Sequence, residues 1–369
     1  MLSRERLQEN FIKMIQIYSP SRNEKEMADW IENWLTERNI PFRADNAGEE
    51  YGGNGRNIVA FLKGTQEGMP LGFGAHMDQI EPCKNVKPVI EGNVIRTDLT
   101  TTLGGDDKAG IAAILEAVED LLETDAPHRD IYLMFTCSEE ISMLGTKHMD
   151  LSMLPCKDLV IVDATGDTGV VAYKAPAMTA IEITFHGKKA HAGIEPEKGI
   201  NAIAAASKAI SDMHIGRIDV ETTSNIGRIE GGSATNIVTD EVTFTAEIRS
   251  HSMEKLAQEV AYMESCCKNA AEIMGASYEM KQELAYPTLS LDLDCELVKE
   301  TEKAMQAENI PMDFMVIGGG SDANVLAGHG YRSVILGCGM QKVHTVEEAI
   351  DMDQLCKAAA VLRRMMSAK

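Results

Sequence analysis

Leu103-Gly104-Gly105-Asp106-Asp107-Lys108-Ala109-Gly110 runs into a strongly apolar helix predicted over Lys108–Leu122, where apolar residues recur at helical spacing. The two glycines permit backbone angles closed to other residues, and the paired carboxylates stand where a helix N-terminus favours negative charge. A single Asp at this place reads as an N-cap. Two adjacent acids are costly to hold together unless cations compensate them, and a carboxylate bridging two metal ions would do so.

Around this helix lie short apolar runs bounded by turns, Asn57–Lys63, Leu71–His76, Ile131–Thr136 and Leu159–Asp163. Strands alternating with helices predict an α/β layer. Residues 3–18 and 24–39 read as helices ahead of it, separated by the turn Ser19-Pro20-Ser21 with its N-cap candidate. The texture changes near Pro176. Met178–His186 and Glu241–Arg249 alternate like half-exposed strands, while 198–212 and 252–273 look helical. A β-α-β-β-α-β order predicts a separate α+β sandwich of ferredoxin-like type over residues 176–285. Met315–Ile317, Ser321–Ala327, Ser333–Leu336 and Met352–Met366 then resume the α/β rhythm. The expected architecture is therefore a larger α/β domain, residues 1–175 and 286–369, with a mixed central sheet flanked by helices and the smaller domain inserted into it. No internal repeat or low-complexity stretch interrupts the pattern.

The acids and histidines fall at strand ends, where open α/β sheets place their sites. His76 ends one run, and Asp78, two residues on, shares its face and is placed to accept the imidazole N–H. Ser138-Glu139-Glu140 follows Ile131–Thr136. Regular alternation would point the two glutamates to opposite faces, so both reach one site only if the chain leaves the pleat there. Asp163 ends the run Leu159–Asp163, and His344 stands in Val343-His344-Thr345. Taken singly, each reads as a structural histidine, a loop acid or a strand-end acid. Together, His76, Asp106, Glu140, Asp163 and His344 make a ligand set for two divalent ions, with Glu139 left over as a free carboxylate. Two such cations sharing one water acidify it and polarise a carbonyl, which is the chemistry needed to cut an amide. Nitrogen and oxygen donors without thiolate suit zinc, with cobalt or manganese as alternatives.

At 369 residues and 40.3 kDa the chain is too long for one ordinary core. A net charge of -22 argues against nucleic acid or an anionic membrane as partner. No apolar run approaches the roughly 20 residues of a membrane span, and Met1–Arg6 leads into a charged amphipathic helix rather than a signal peptide. The eight cysteines contain no C-x-x-C and are irregularly spaced, which predicts reduced thiols in a cytoplasmic protein rather than a disulfide framework.

The strings Ala75-His76-Met77-Asp78, Leu103–Gly110, Ser138-Glu139-Glu140 and Val343-His344-Thr345 resemble, in order and over nearly the whole chain, the dinuclear zinc exopeptidase family. That family includes peptidase T (tripeptide aminopeptidase), glutamate carboxypeptidase and aminoacylase, and the Leu-Gly-x-Asp-Asp-Lys-Ala-Gly form is nearest to the peptidase T branch. The resemblance implies that Asp106 bridges the metals, with His76 and Asp163 completing one ion and Glu140 and His344 the other. It implies Asp78 as the residue that orients His76, Glu139 as general base and then acid, and a cis peptide at Asp106–Asp107. In the inserted lid and dimerisation domain it points to His191 for the oxyanion and to Asn236 and Arg249 for gripping a small peptide, with Gly319 beside the pocket. A homodimer is implied as well. One departure is Gln79, where the family more often has Thr or Val.

The activity so implied is that of an aminopeptidase acting on short peptides. A carboxypeptidase or an N-acyl-amino-acid deacylase would use the same site. A metal-dependent binding protein without catalysis would have no use for Glu139. A nucleotide-binding module is disfavoured by the dense acids, and no P-loop Lys-Ser/Thr follows the glycines at 318–320 to make them a phosphate cradle.

Overall fold

Four parallel strands lie side by side at the centre of the larger unit: β1 (Leu71–His76), β2 (Ile131–Thr136), β3 (Asp158–Ala164) and β4 (Arg332–Gly337), in the order β2-β1-β3-β4. The structure is a computed structural model describing residues 2–367. All six residues of β1 are buried, as expected of a strand covered on both faces. Antiparallel strands Phe42–Ala44 and Ile58–Leu62 extend the sheet beyond β2. Beyond β4, Val170–Ala175 runs antiparallel and pairs in turn with Asp313–Val316 and Leu289–Ser290. The sheet has nine strands and is mixed, as the sequence predicts.

Helix α1 (Gly105–Thr124) packs on β1 and β3 and against α2 (Met352–Ser367). Its apolar residues are buried on nearly every side, which is why it shows a continuous apolar face rather than a narrow stripe. Phe73, Leu133, Phe135, Val160 and Val162 from the sheet share one core with Ile111, Leu115, Leu355 and Leu362. Each such side chain removed from water contributes about 1.5–3 kcal/mol.

A second, four-stranded antiparallel sheet was not foreseen. It joins Pro88–Glu91, Val94–Thr97, Met340–Gln341 and Ala349–Asp351. Strands of two to four residues are too short to show periodicity in sequence. The connection between its last two strands presents His344.

The first unit runs to Lys174 and resumes at Ser290–Ile317 and from Ser321 onward; the second comprises Ala175–Leu289 with Gly318–Gly320. The second unit is a five-stranded antiparallel sheet in which Thr222–Gly231, Glu241–Ser250, Ala177–His186 and Ser277–Tyr286 follow one another, with Gly216–Arg217 added at the edge. Its two helices, Ala202–Asp212 and Met253–Met274, pack on that sheet around Ile183, Phe185, Phe244, Ile248, Met263 and Cys267. The first starts at Ala202 rather than 198 because Asn201 caps it, its side chain accepting from Ala204 N. Ser252 caps the second, and Gly275, at φ 70°, ends it.

Candidate metal centre

Because β1, β2 and β3 are parallel, their C-terminal ends deliver His76, Ser138-Glu139-Glu140 and Asp163 to one edge of the sheet. His76 Nε2 lies 3.0 Å from Asp106 Oδ1 and 3.8 Å from Asp163 Oδ1. Its Nδ1 is 3.3 Å from Asp78 Oδ1, close but off the line of a hydrogen bond. Burial alone would lower the imidazole's pKa; the Asp106 and Asp78 carboxylates overcome this and raise it well above the ordinary value.

The turn before α1 has the geometry its glycines permit. Gly104 has φ 79°, and a Cβ there would sit 2.5 Å from the Gln79 side chain. Asp106 and Asp107 depart from helical angles, and the peptide between them is cis, as the resemblance implies. Asp107 is fully buried; its Oδ2 accepts from His76 N at 3.2 Å and its Oδ1 from Gly110 N at 3.2 Å. One acid of the pair thus fastens the strand end to the helix start and the other faces the histidines.

The chain leaves the pleat at Ser138, which adopts φ 52°. Both following glutamates therefore turn to the same edge. Asp78 holds this turn as well, accepting from Glu139 N at 2.9 Å and Glu140 N at 3.1 Å. His344 arrives from the hairpin of the small sheet, its Nε2 3.1 Å from Asp106 Oδ2 and 2.9 Å from Glu140 Oε2. The two oxygens of Asp106 therefore face two imidazoles from opposite ends of the chain.

Ligand atoms of His76, Asp106 and Glu140 lie within 4.8 Å of one another, as do those of His76, Asp107 and Asp163. The donor set fits divalent cations. Glu140 Oε1 is buried without a hydrogen-bond partner. Asp107, Asp163 and Glu139 are pushed well above the usual carboxylate range, by burial first and then by neighbouring acids. Burial also works to raise Asp106, yet the His344 and His76 imidazoles hold it low. His344 is raised to about 10 by its contacts with Asp106 and Glu140. Cations bound among these groups would offset the crowding of acids. Lys108 does not supply the missing charge: its Nζ donates to Ile17 O at 3.1 Å and Gln79 Oε1 at 2.8 Å, and burial lowers it to about 8. Gln79, the departure from the family pattern, is the side-chain acceptor for this lysine.

Several supporting residues escaped the sequence reading. Glu24 is buried and accepts from Ser138 N and Oγ at 2.9 and 2.6 Å. Ser21, read only as part of a turn, donates to Asp78 Oδ2 at 2.7 Å. Asp322 accepts from the Thr136 and Thr146 hydroxyls, and Glu348 lies against the Leu103–Asp106 turn. In the second unit, the His191 and Asn236 segments pair through Ala192 N and Asn236 O at 3.0 Å. Arg249 is engaged by Glu247 through Nε at 2.9 Å and a terminal nitrogen at 3.1 Å, and donates to Gly318 O at 3.3 Å. Gly319 has no neighbour within 4 Å of a would-be Cβ, so space does not demand glycine there.

A mixed α/β sheet with His76 and a set of buried carboxylates at its edge, His344 brought to them from the small sheet, and an α+β unit inserted in sequence make up an architecture of peptidase type. Residues 57–184 match peptidase family M28, and residues 177–274 match the M20 peptidase dimerisation domain. An uncharacterized Bacillus subtilis protein, YqjE, is 39% identical over 362 residues, 98% of each chain. The crystal structure of aminopeptidase PepT from Bacillus cereus is 35% identical, with a TM-score of 0.91 over 99% of this chain and 98% of that one. A tripeptidase from Staphylococcus aureus is 33% identical, with a TM-score of 0.95 over 100% and 98%. The chain belongs to the peptidase T-like branch of the M20 family, and it is a peptidase. Among the described residues, no helix is long and apolar enough to cross a membrane.

Proposed function

We propose that this chain is a two-metal aminopeptidase that releases the N-terminal residue of short peptides, tripeptides foremost. The observation that carries the reading is Asp106, whose Oδ1 and Oδ2 stand 3.0 and 3.1 Å from His76 and His344. A carboxylate so placed suits a bridge between two ions, zinc first and cobalt or manganese as alternatives, with Asp163 beside His76 and Glu140 beside His344. Bound there, the ions supply acidified water and a polarised carbonyl.

The chain's own residues do the rest. Glu139 lies outside the ligand set and its raised pKa, caused by burial and Asp163, suits a group that accepts a proton and gives it back. It takes the proton of the attacking water and hands it to the leaving amine. Asp78, 3.3 Å from His76 Nδ1, is the residue assigned to orient His76, and it fixes the turn that carries Glu139. His191, Asn236, Arg249 and Gly319 are assigned to substrate by resemblance, and the backbone pairing of the His191 and Asn236 segments supports those two acting together. The match to a dimerisation domain supports a homodimer, and eight free cysteines support a cytoplasmic setting. Both names borne by the solved relatives, aminopeptidase and tripeptidase, favour a free N-terminus on the substrate.

The test is to assay free tripeptides, N-blocked peptides and N-acyl amino acids, before and after chelation and with metal restored. Cleavage of free tripeptides alone, lost on chelation and recovered with metal, is expected. Hydrolysis confined to blocked substrates would make the chain a carboxypeptidase or deacylase.

A further inference from the structure

Glu348 lies four residues beyond His344 and is 2% exposed. Its carboxylate accepts three backbone N–H bonds from one turn: Oε2 from Leu103 at 2.8 Å and Gly104 at 2.9 Å, and Oε1 from Asp106 at 2.9 Å. Gly105 belongs to this packing, because a Cβ there would meet Oε1 at 3.1 Å. The same residue's own N–H donates to Thr345 O at 3.1 Å and closes the turn that presents His344. That turn is drawn in further by Thr345 Oγ1, which donates to Lys342 O at 2.8 Å. The His344 side chain is 50% exposed, so packing does not fix it and the turn must.

A buried carboxylate that meets only backbone N–H groups is poor value as a stability device. Its desolvation is expensive, and an apolar side chain of similar volume would fill the space without that cost. What the carboxylate supplies is direction: three charge-assisted bonds fix the turn more sharply than packing would. Both turns it touches end in a side chain of the metal centre.

We propose that Glu348 is a positioning residue that locks the Asp106 turn to the His344 turn, so that the two ligand side chains already converge before any ion arrives. This rests on the two-metal reading of the site. A glutamine at 348 keeps the volume but turns an N–H₂ group toward backbone donors, losing part of the set. An aspartate keeps the charge but is one methylene shorter.

The experiment uses metal-free protein: wild type, Glu348→Gln, Glu348→Asp and, as a destabilised control from the core, Leu355→Ala. Each is titrated with Co²⁺ by its visible absorption spectrum, and amide exchange over 103–106 is followed without metal. Glu348→Gln is expected to bind Co²⁺ roughly 10–100-fold more weakly, the usual range for groups that orient metal ligands. Exchange at Leu103, Gly104 and Asp106 should quicken at least about tenfold. Glu348→Asp should recover part of both, while Leu355→Ala lowers the melting temperature and leaves Co²⁺ affinity as it was. Wild-type affinity and exchange in Glu348→Gln would overturn the proposal. Should that variant not fold, Glu348→Asp decides by the same two readouts: wild-type values in it would equally overturn the proposal. Failure of the wild type to bind Co²⁺ at all would instead sink the two-metal reading, with the exchange data still reporting on the turn.

Discussion

The strand ends of the first unit and the outer face of the five-stranded sheet in the second hold similar side chains under opposite conditions. On the sheet, Glu182 stands in water and meets Lys281 at 2.9 Å, and in the loop and helix beside it Asp219 meets Lys255 at 2.9 Å. The Lys255 contact and nearby hydrogen bonds hold Asp219 at about 2. At that edge of the larger sheet, Asp107, Glu139 and Asp163 are pushed the other way by burial and by neighbouring acids. An exposed pair contributes little and costs little. A buried group of acids is a standing liability that a fold keeps only where chemistry requires it. The molecule concentrates its frustration at one edge of one sheet.

The sharpest way to break this contrast is Glu139→Ala. Loss of the proton carrier should lower kcat by roughly 10²–10⁴-fold with metal content unchanged. Steady-state kinetics beside elemental analysis checks it, and unaltered turnover removes Glu139 as base.

A smaller effect concerns the metal-free protein and pH. His344 is raised to about 10 by Asp106 and Glu140. A group raised above its unfolded value, near 6.5 for histidine, lends stability that is complete below about pH 6.5 and is lost as pH climbs through about 10. Its partial exposure lets solvent screen the effect. The melting temperature of chelated protein should therefore fall across this window. On the proposed two-metal reading, metal should flatten or reverse the trend, because an imidazole that binds it must be neutral. Thermal melts with chelator and with Co²⁺ decide; a rise for the chelated form would contradict the assignment.

The least effect is expected on the other side of the comparison. Lys281→Ala removes a fully exposed partner of Glu182 and should leave the melting temperature and kcat within experimental error. A clear loss would mean that this face is not merely solvated.

The strands that bear the site were readable because each is a buried apolar run: Leu71–His76 and Ile131–Thr136 have the bounds that the sequence suggests. The residues gathered there were readable because glycine, acid and histidine stand at the ends of those runs. The braces were not. Glu24 and Glu348 meet backbone N–H groups more than a hundred residues away, and nothing local separates Glu348 from its neighbour Glu347, whose side chain is exposed and meets Lys342. The small sheet that presents His344 was hidden for a related reason: the pairing that closes it, Val94–Thr97 with Ala349–Asp351, spans more than 240 residues, and its strands are too short to show a period. Arg249 shows a third kind of limit, since its residue type suggests a carboxylate ligand but not that Glu247 already fills that role.

The left-handed backbone at Ser138 makes neighbours of side chains that a flat strand would send to opposite sides. Glu139 and Glu140, proposed as proton carrier and metal ligand, consequently flank a single peptide plane, with their N–H groups pinned by the two oxygens of Asp78. On that proposal neither can drift without dragging the other, so wear in that small hinge would blunt acid–base timing and ion retention together.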